Sequence, residues 1–306
     1  MNELHSKRRK YAYASGRFSD YLKLARPQQW LKNIFVGAPV FFSGKLSDPA
    51  AMITIAWVFV IFCLVSSAVY VLNDLRDRAS DAEHPKKCHR PLASGAISAS
   101  GAVVFMTALI GSAASLFVIA DLPRSVGAVV LLYGLVNVAY SFGLKHVPLV
   151  ELFLVASGYV FRVLAGGYAV DVEISSWLLA MTAVIAMLIV VAKRRDEMEG
   201  AYGSGVNRSS LRGYNLTYLD SMISMLAGMT IVMYLLFAVS EYASSKYGKD
   251  AVLLTAPLVG FGVMRYVQIT KISKGADDPT ELLLKDWPII IAMMLFIGVF
   301  ALILYV

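Results

Sequence analysis

Cysteine is nearly absent from this chain, with two in 306 residues. Neither a disulfide framework nor a zinc site is expected, because no CxxC or HxxxH spacing accompanies Cys63, Cys88, His84 or His89. A cleavable leader is not expected either. The first twenty-odd residues are polar and basic (Lys7, Arg8, Arg9, Lys10, Arg17) and lack the short apolar core such a leader needs. No linker, low-complexity tract or proline-rich run divides the chain, so one domain over 1–306 is expected, with 1–25 as a basic N-terminal segment. Charges inside apolar runs are also scarce. Arg162 alone falls clearly within one, which argues against a transporter with a buried acidic path.

What is abundant is apolar residues, at 58%, with a mean hydropathy of +0.65. Soluble domains average roughly 45–50%. Apolar stretches long enough to cross a bilayer predict an all-α, polytopic membrane protein with spans near 28–46, 52–72, 101–119, 125–142, 148–170, 175–193, 219–240, 251–269 and 287–306. Of the 28 Lys and Arg, 23 fall in the N-terminal segment and in alternate loops, and only Lys45, Arg124, Lys246 and Lys249 fall in the others. This places the N-terminus and the long loops 73–100 and 193–218 in the cytoplasm, with the C-terminus outside. The formal charge of +7 therefore reads as positive-inside loops and polyanionic substrates, not nucleic-acid binding.

The most informative stretch is Asn73–Asp81. It places Asp74, Asp77 and Asp81 at i, i+3 and i+7, on one face of a helix, directly after an apolar run. Stacked like charges are costly unless a cation sits among them, and oxygen-only ligands favour a hard divalent ion that completes its shell with water and phosphate oxygens. His84, Lys86, Lys87 and Arg90 follow, a set of cations placed to clamp a diphosphate. A second polar cluster is Lys193-Arg194-Arg195-Asp196-Glu197-Met198-Glu199. There Lys193 and Arg194 are candidate phosphate contacts and either Asp196 or the pair Glu197 and Glu199 would assist the metal; Arg208, Arg212, Tyr214 and Asp220 lie downstream. Arg26, Lys32 and Asn33, around Pro27 and Trp30, would face a lipid phosphate at the first span. Tyr140 and Lys145 close the fourth span beside His146. Arg162 in the fifth, near Gly158, Gly166 and Gly167, is assigned to an anion in preference to an ion pair with Glu151.

At Asn73–Asp81 the sequence resembles the UbiA superfamily of intramembrane prenyltransferases, whose first signature is NDxxDxxxD. The likeness covers nearly the whole chain. It implies a ring of helices around a central cavity, with Mg²⁺ and diphosphate held by Asp74, Asp77 and Asp81. The second signature, DxxxD, is missing: Lys193–Glu197 stands in its place, and Gly200 occupies the position four residues after Asp196. Several segments are instead similar to one branch, the decaprenyl-phosphate phosphoribosyltransferases: Arg26–Asn33, Ser66–Asp81, His84–Gly95, Tyr140–Pro148 and Leu211–Tyr214. That likeness implies 5-phosphoribosyl-1-diphosphate as donor and a polyprenyl phosphate as acceptor within the membrane lipid. The basic 193–195 run would then suit the donor's 5-phosphate. The other reading is a transferase moving a prenyl chain from its diphosphate to an aromatic acceptor of a quinone or haem pathway.

Overall fold

The computed structural model describes residues 17–84, 87–204, 211, 213–272 and 285–305, with backbone alone at 201–204. Lys86, Arg208 and Arg212 lie outside the described residues. Among the described residues there is no strand. The α-helices in chain order are α1 Phe18–Ala25, α2 Ala38–Phe42, α3 Pro49–Glu83, α4 Ala99–Ile119, α5 Arg124–Ser141, α6 Val150–Ala169, α7 Ser176–Ser204, α8 Leu216–Ala238, α9 Glu241–Tyr247, α10 Ala256–Ile272 and α11 Trp287–Tyr305. Among the described residues, eight helical segments are long and apolar enough to cross a membrane. They match eight of the nine expected spans.

The first expected span, 28–46, takes another form. Pro27–Gly37 is a 3₁₀ helix of 11 residues, followed by the five-residue α2. Pro39 has no N–H to bond the carbonyl of Phe35, and Ala38 N–H bonds that carbonyl instead. An α-helix therefore restarts with proline in its first turn, where proline is tolerated. At about 2.0 Å rise per 3₁₀ residue and 1.5 Å per α residue, 27–42 still extends about 30 Å.

Two helices run past their expected ends. The expected spans end at 72 and 193, whereas α3 continues to Glu83, carrying the helical stripe expected for Asp74, Asp77 and Asp81, and α7 continues to Ser204. Hydropathy marks where the apolar run stops, whereas Arg, Lys, Glu and Met keep a helix going. Caps define several starts. Asp48 accepts from Ala50 N (2.9 Å) ahead of Pro49, Ser98 from Gly101 N (3.0 Å), and Asn215 from Tyr218 N (2.7 Å).

The described residues form two compact units, one within 1–41, 45–144 and 161–172, the other within 42–44, 145–160 and 173–306. In the first, the 3₁₀ helix lies along α3. Three residues of 3₁₀ helix and four of α-helix each rise about 6 Å, so contacts three apart on one meet contacts four apart on the other. Trp30 Nε1 donates to Ser67 Oγ (3.0 Å) and Asn33 Nδ2 to Cys63 Sγ (3.2 Å). Val36, the next step, joins the core of Val58, Phe62 and Tyr133. Gly166 of α6 passes so close that a Cβ there would lie 1.9 Å from the Val36 carbonyl oxygen. In the second unit, Tyr234, Phe237, Tyr247, Phe296 and Phe300 interlock edge-on or tilted, with Phe42 against Phe300 at 5.1 Å. Tyr247 also donates to the Phe42 carbonyl (3.1 Å).

Candidate active site

The acidic motif occupies the last two and a half turns of α3, beyond its apolar stretch. Asp74 and Asp81 are 2% and 4% exposed, a burial that carboxylates accept only with cationic partners. Those partners come from elsewhere in the first unit. Arg26 Nη2 lies 2.5 Å from Asp74 Oδ1. Arg90 Nη1 reaches both Asp74 Oδ1 (3.2 Å) and Asp81 Oδ2 (2.6 Å), so one nitrogen bridges two carboxylates two helical turns apart. Lys87 Nζ is 3.8 Å from Asp81 Oδ1. Asp77 accepts from Asn73 Nδ2 (3.1 Å).

Local structure explains how Arg26 arrives there. It sits between α1 and the 3₁₀ helix with φ +54°, a left-handed conformation that reverses the chain direction, and its guanidinium lies over the Tyr70 ring at 5.0 Å. Ser67 Oγ fixes the same corner by donating to the Ala25 carbonyl (2.8 Å) while accepting from Trp30. Arg90 follows the 3₁₀ turn Lys87–His89, and its segment is anchored by the fully buried Leu92, whose carbonyl accepts from Arg78 Nε (3.2 Å).

Asn33 lies deeper than a residue at the membrane edge. It is fully buried, with Oδ1 accepting from Arg162 Nε (2.7 Å) and Nδ2 on Cys63, because the three-residue period turns it toward α3 with Trp30 and Val36. Arg162 is likewise buried. Its Nη2 donates to Tyr133 Oη (3.3 Å), and its guanidinium lies over the rings of Tyr133 (5.0 Å) and Phe62 (5.5 Å). The sequence reading missed Cys63, Phe62 and Tyr133 as its surroundings; polar atoms within apolar runs were the available signal. Lys32, Tyr140 and Lys145 are half-buried.

In the second unit Glu151 pairs with Arg194. Arg194 Nε lies 2.7 and 2.9 Å from the two Glu151 oxygens, and its Nη1 meets Glu197. Both residues of the Arg194–Glu151 pair are at most 5% exposed. Arg194 is thus held by carboxylates. The identity of that acid is legible only in three dimensions, since Glu151 stands 43 residues away. Arg195 joins three helices, donating to Asp220 Oδ1 (2.8 Å), Glu199 Oε2 (2.6 Å) and the Thr270 carbonyl (3.1 Å). Lys193 is half-buried. Tyr214 Oη accepts from Leu149 N (2.6 Å), and burial pushes its phenol pKa up, so it stays neutral.

Among the described residues no group of three or more His, Cys, Asp and Glu side chains is assembled to hold a metal ion by itself. The two acids that share Arg90 Nη1 nonetheless supply hard oxygen donors to one cation, a donor set suited to a magnesium-sized ion completed by water and phosphate oxygens.

Residues 34–285 match the model of the UbiA prenyltransferase family. The chain is 33% identical over 294 residues to the decaprenyl-phosphate phosphoribosyltransferase of Mycolicibacterium smegmatis, covering 92% of this chain and 91% of that protein. It is 34% identical over 233 residues to the protein of the same name from Corynebacterium glutamicum, covering 75% and 69%. Among solved structures, a UbiA homologue from Archaeoglobus fulgidus bound to GPP and Mg²⁺ superposes with a TM-score of 0.69 at 18% identity, covering 94% of this chain and all of that one. At that identity the likeness establishes the fold. Family model, relatives and architecture agree: this multi-pass membrane enzyme belongs to the UbiA prenyltransferase family.

Proposed function

We propose that the protein transfers a 5-phosphoribosyl group from 5-phosphoribosyl-1-diphosphate to a polyprenyl phosphate such as decaprenyl phosphate, releasing diphosphate. The observation that carries this reading is the meeting of two buried carboxylates with Arg26 and Arg90 at the end of α3, a mixed-charge site matched to a metal-bound diphosphate. The names of the relatives favour the phosphoribosyl donor over a prenyl diphosphate.

Asp74 and Asp81, with Asp77 beside them, would hold Mg²⁺, which would neutralise charge on the leaving diphosphate. Arg26, Arg90 and Lys87 would bind its oxygens. A phosphate oxygen of the lipid attacks C1 of the ribose as the bond from C1 to the diphosphate oxygen breaks, through an oxocarbenium-like sugar. The nucleophile is already an anion, so no general base is needed. Among the half-buried polar residues, Lys32, Tyr140, Lys145 and Lys193 remain candidates for substrate contacts, as does Arg162 for an anion at membrane depth.

We further propose that 1–306 acts as one transmembrane domain in the cell membrane, with 1–25 and the acidic motif facing the cytoplasm. The product would serve cell-envelope arabinan synthesis. Membranes supplied with labelled phosphoribosyl diphosphate and decaprenyl phosphate should form a labelled lipid. Absence of that lipid, together with prenyl transfer to an aromatic acid, would instead establish the prenyltransferase reading.

A further inference from the structure

Arg90 stands where a divalent ion would have to stand. Its Nη1 lies 3.2 Å from Asp74 Oδ1 and 2.6 Å from Asp81 Oδ2. An ion of magnesium's size coordinates such oxygens at about 2.1 Å, and the two cations cannot share that space. The acids are almost fully buried, while the Arg90 side chain is 28% exposed. The cation thus enters the acids from their open side. Its backbone is fixed on either side: Arg90 N bonds the Lys87 carbonyl (2.9 Å), Ser94 N bonds the Arg90 carbonyl (2.8 Å), and Leu92 is fully buried with its carbonyl held by Arg78. Only the side chain is left to swing.

We propose that Arg90 is a positioning residue that exchanges partners. With no metal it neutralises Asp74 and Asp81, and when metal and diphosphate enter together its guanidinium moves from the carboxylates to the diphosphate. The inference rests on the proposed metal–diphosphate site and adds a consequence that the site alone does not carry. Free metal must displace a guanidinium whose acid partners among the described residues are the same two carboxylates, whereas a metal–diphosphate complex brings the replacement anion with it. Metal and diphosphate therefore bind with positive coupling, and coupling is reciprocal. Arg90 selects for the complex over the bare ion. Arg26 Nη2 lies on the same Asp74 oxygen, 2.5 Å away.

The test uses the full chain in detergent and Mn²⁺ as a spectroscopically visible substitute for Mg²⁺, titrated alone and as preformed Mn²⁺–inorganic diphosphate. The unsubstituted protein should bind the complex at least tenfold more tightly than Mn²⁺ alone. Arg90→Gln should bind Mn²⁺ alone at least tenfold more tightly than the unsubstituted protein and lose the preference for the complex. Adding Asp74→Asn should abolish that gain. If Arg90→Gln does not remain monodisperse, Arg90→Lys serves, because lysine keeps the charge but its Nζ ends one atom short of the arginine Nη1 and holds the two acids less tightly; its Mn²⁺ affinity should fall between the two. Unchanged Mn²⁺ affinity in these variants, with weakened binding of the complex, would make Arg90 an anion contact only and overturn the exchange while leaving the proposed function standing. Failure of the unsubstituted protein to bind Mn²⁺–diphosphate at all would overturn the proposed function and the exchange with it.

Discussion

Asp74 and Asp81 differ from ordinary membrane-edge acids because almost no solvent reaches them and their charge is balanced by side chains 48 and 9 residues away. Replacing either with Ala should lower kcat/KM by on the order of 10³-fold, since loss of an electrostatic clamp on a leaving group costs several kcal/mol. An Asp77→Asn protein, whose native carboxylate accepts from Asn73, should lose less. Kinetics in vesicles with the labelled donor would rank the three. Arg194 makes the opposite prediction. Arg194→Ala strands the buried Glu151 carboxylate and should cost about 3–5 kcal/mol of stability, with pairwise replacement by apolar residues recovering most of it. Thermal unfolding in detergent would show this. An unchanged midpoint for Arg194→Ala would return Arg194 to the substrate contacts. The three acids were legible from spacing alone, because helical periodicity puts them on one stripe. Arg26, Arg90 and Glu151 as partners were not, because nothing in a linear pattern reports a contact made across a tertiary fold.

At the scale of the element, apolar length located eight helices because a bilayer demands a fixed run of residues. The same criterion passed over the break at Gly37–Pro39, since the residues around it are as apolar as those of any span. It also ended α3 and α7 too early, because the membrane boundary and the helix end are different physical events. The close pass of α6 against the 3₁₀ helix gives a direct test. Gly166→Ala puts a methyl group on a backbone carbonyl, which cannot rotate away, and should cost about 1–3 kcal/mol or more by overpacking. Gly111→Ala, where an added Cβ meets nothing within 4 Å, should be neutral to stabilising in a helix. Tyr214→Phe should release the segment before α8 by leaving Leu149 N without its acceptor, at about 1–3 kcal/mol. Limited proteolysis between 201 and 213 would report it.

For the whole molecule, orientation is the open quantity that the charge distribution addresses. Cys63 is buried and Cys88 partly exposed, so a membrane-impermeant maleimide should label Cys88 alone, and only from the cytoplasmic face. A cysteine placed at Lys249, in an outer loop by the same count, should be labelled from the opposite face. Labelling of both from one side would reverse or break the topology. The 3₁₀ segment also sets a length. Were its 11 residues to relax into an α-helix, the strand of chain between Arg26 and α2 would contract by about 5 Å and its side chains would wind progressively out of line with α3. Arg26 would be drawn off Asp74, and Asn33 off Arg162. The tighter winding of one short helix thus acts as a strut, and whether the acids keep a cation before substrate arrives depends on how many residues it takes to make each turn.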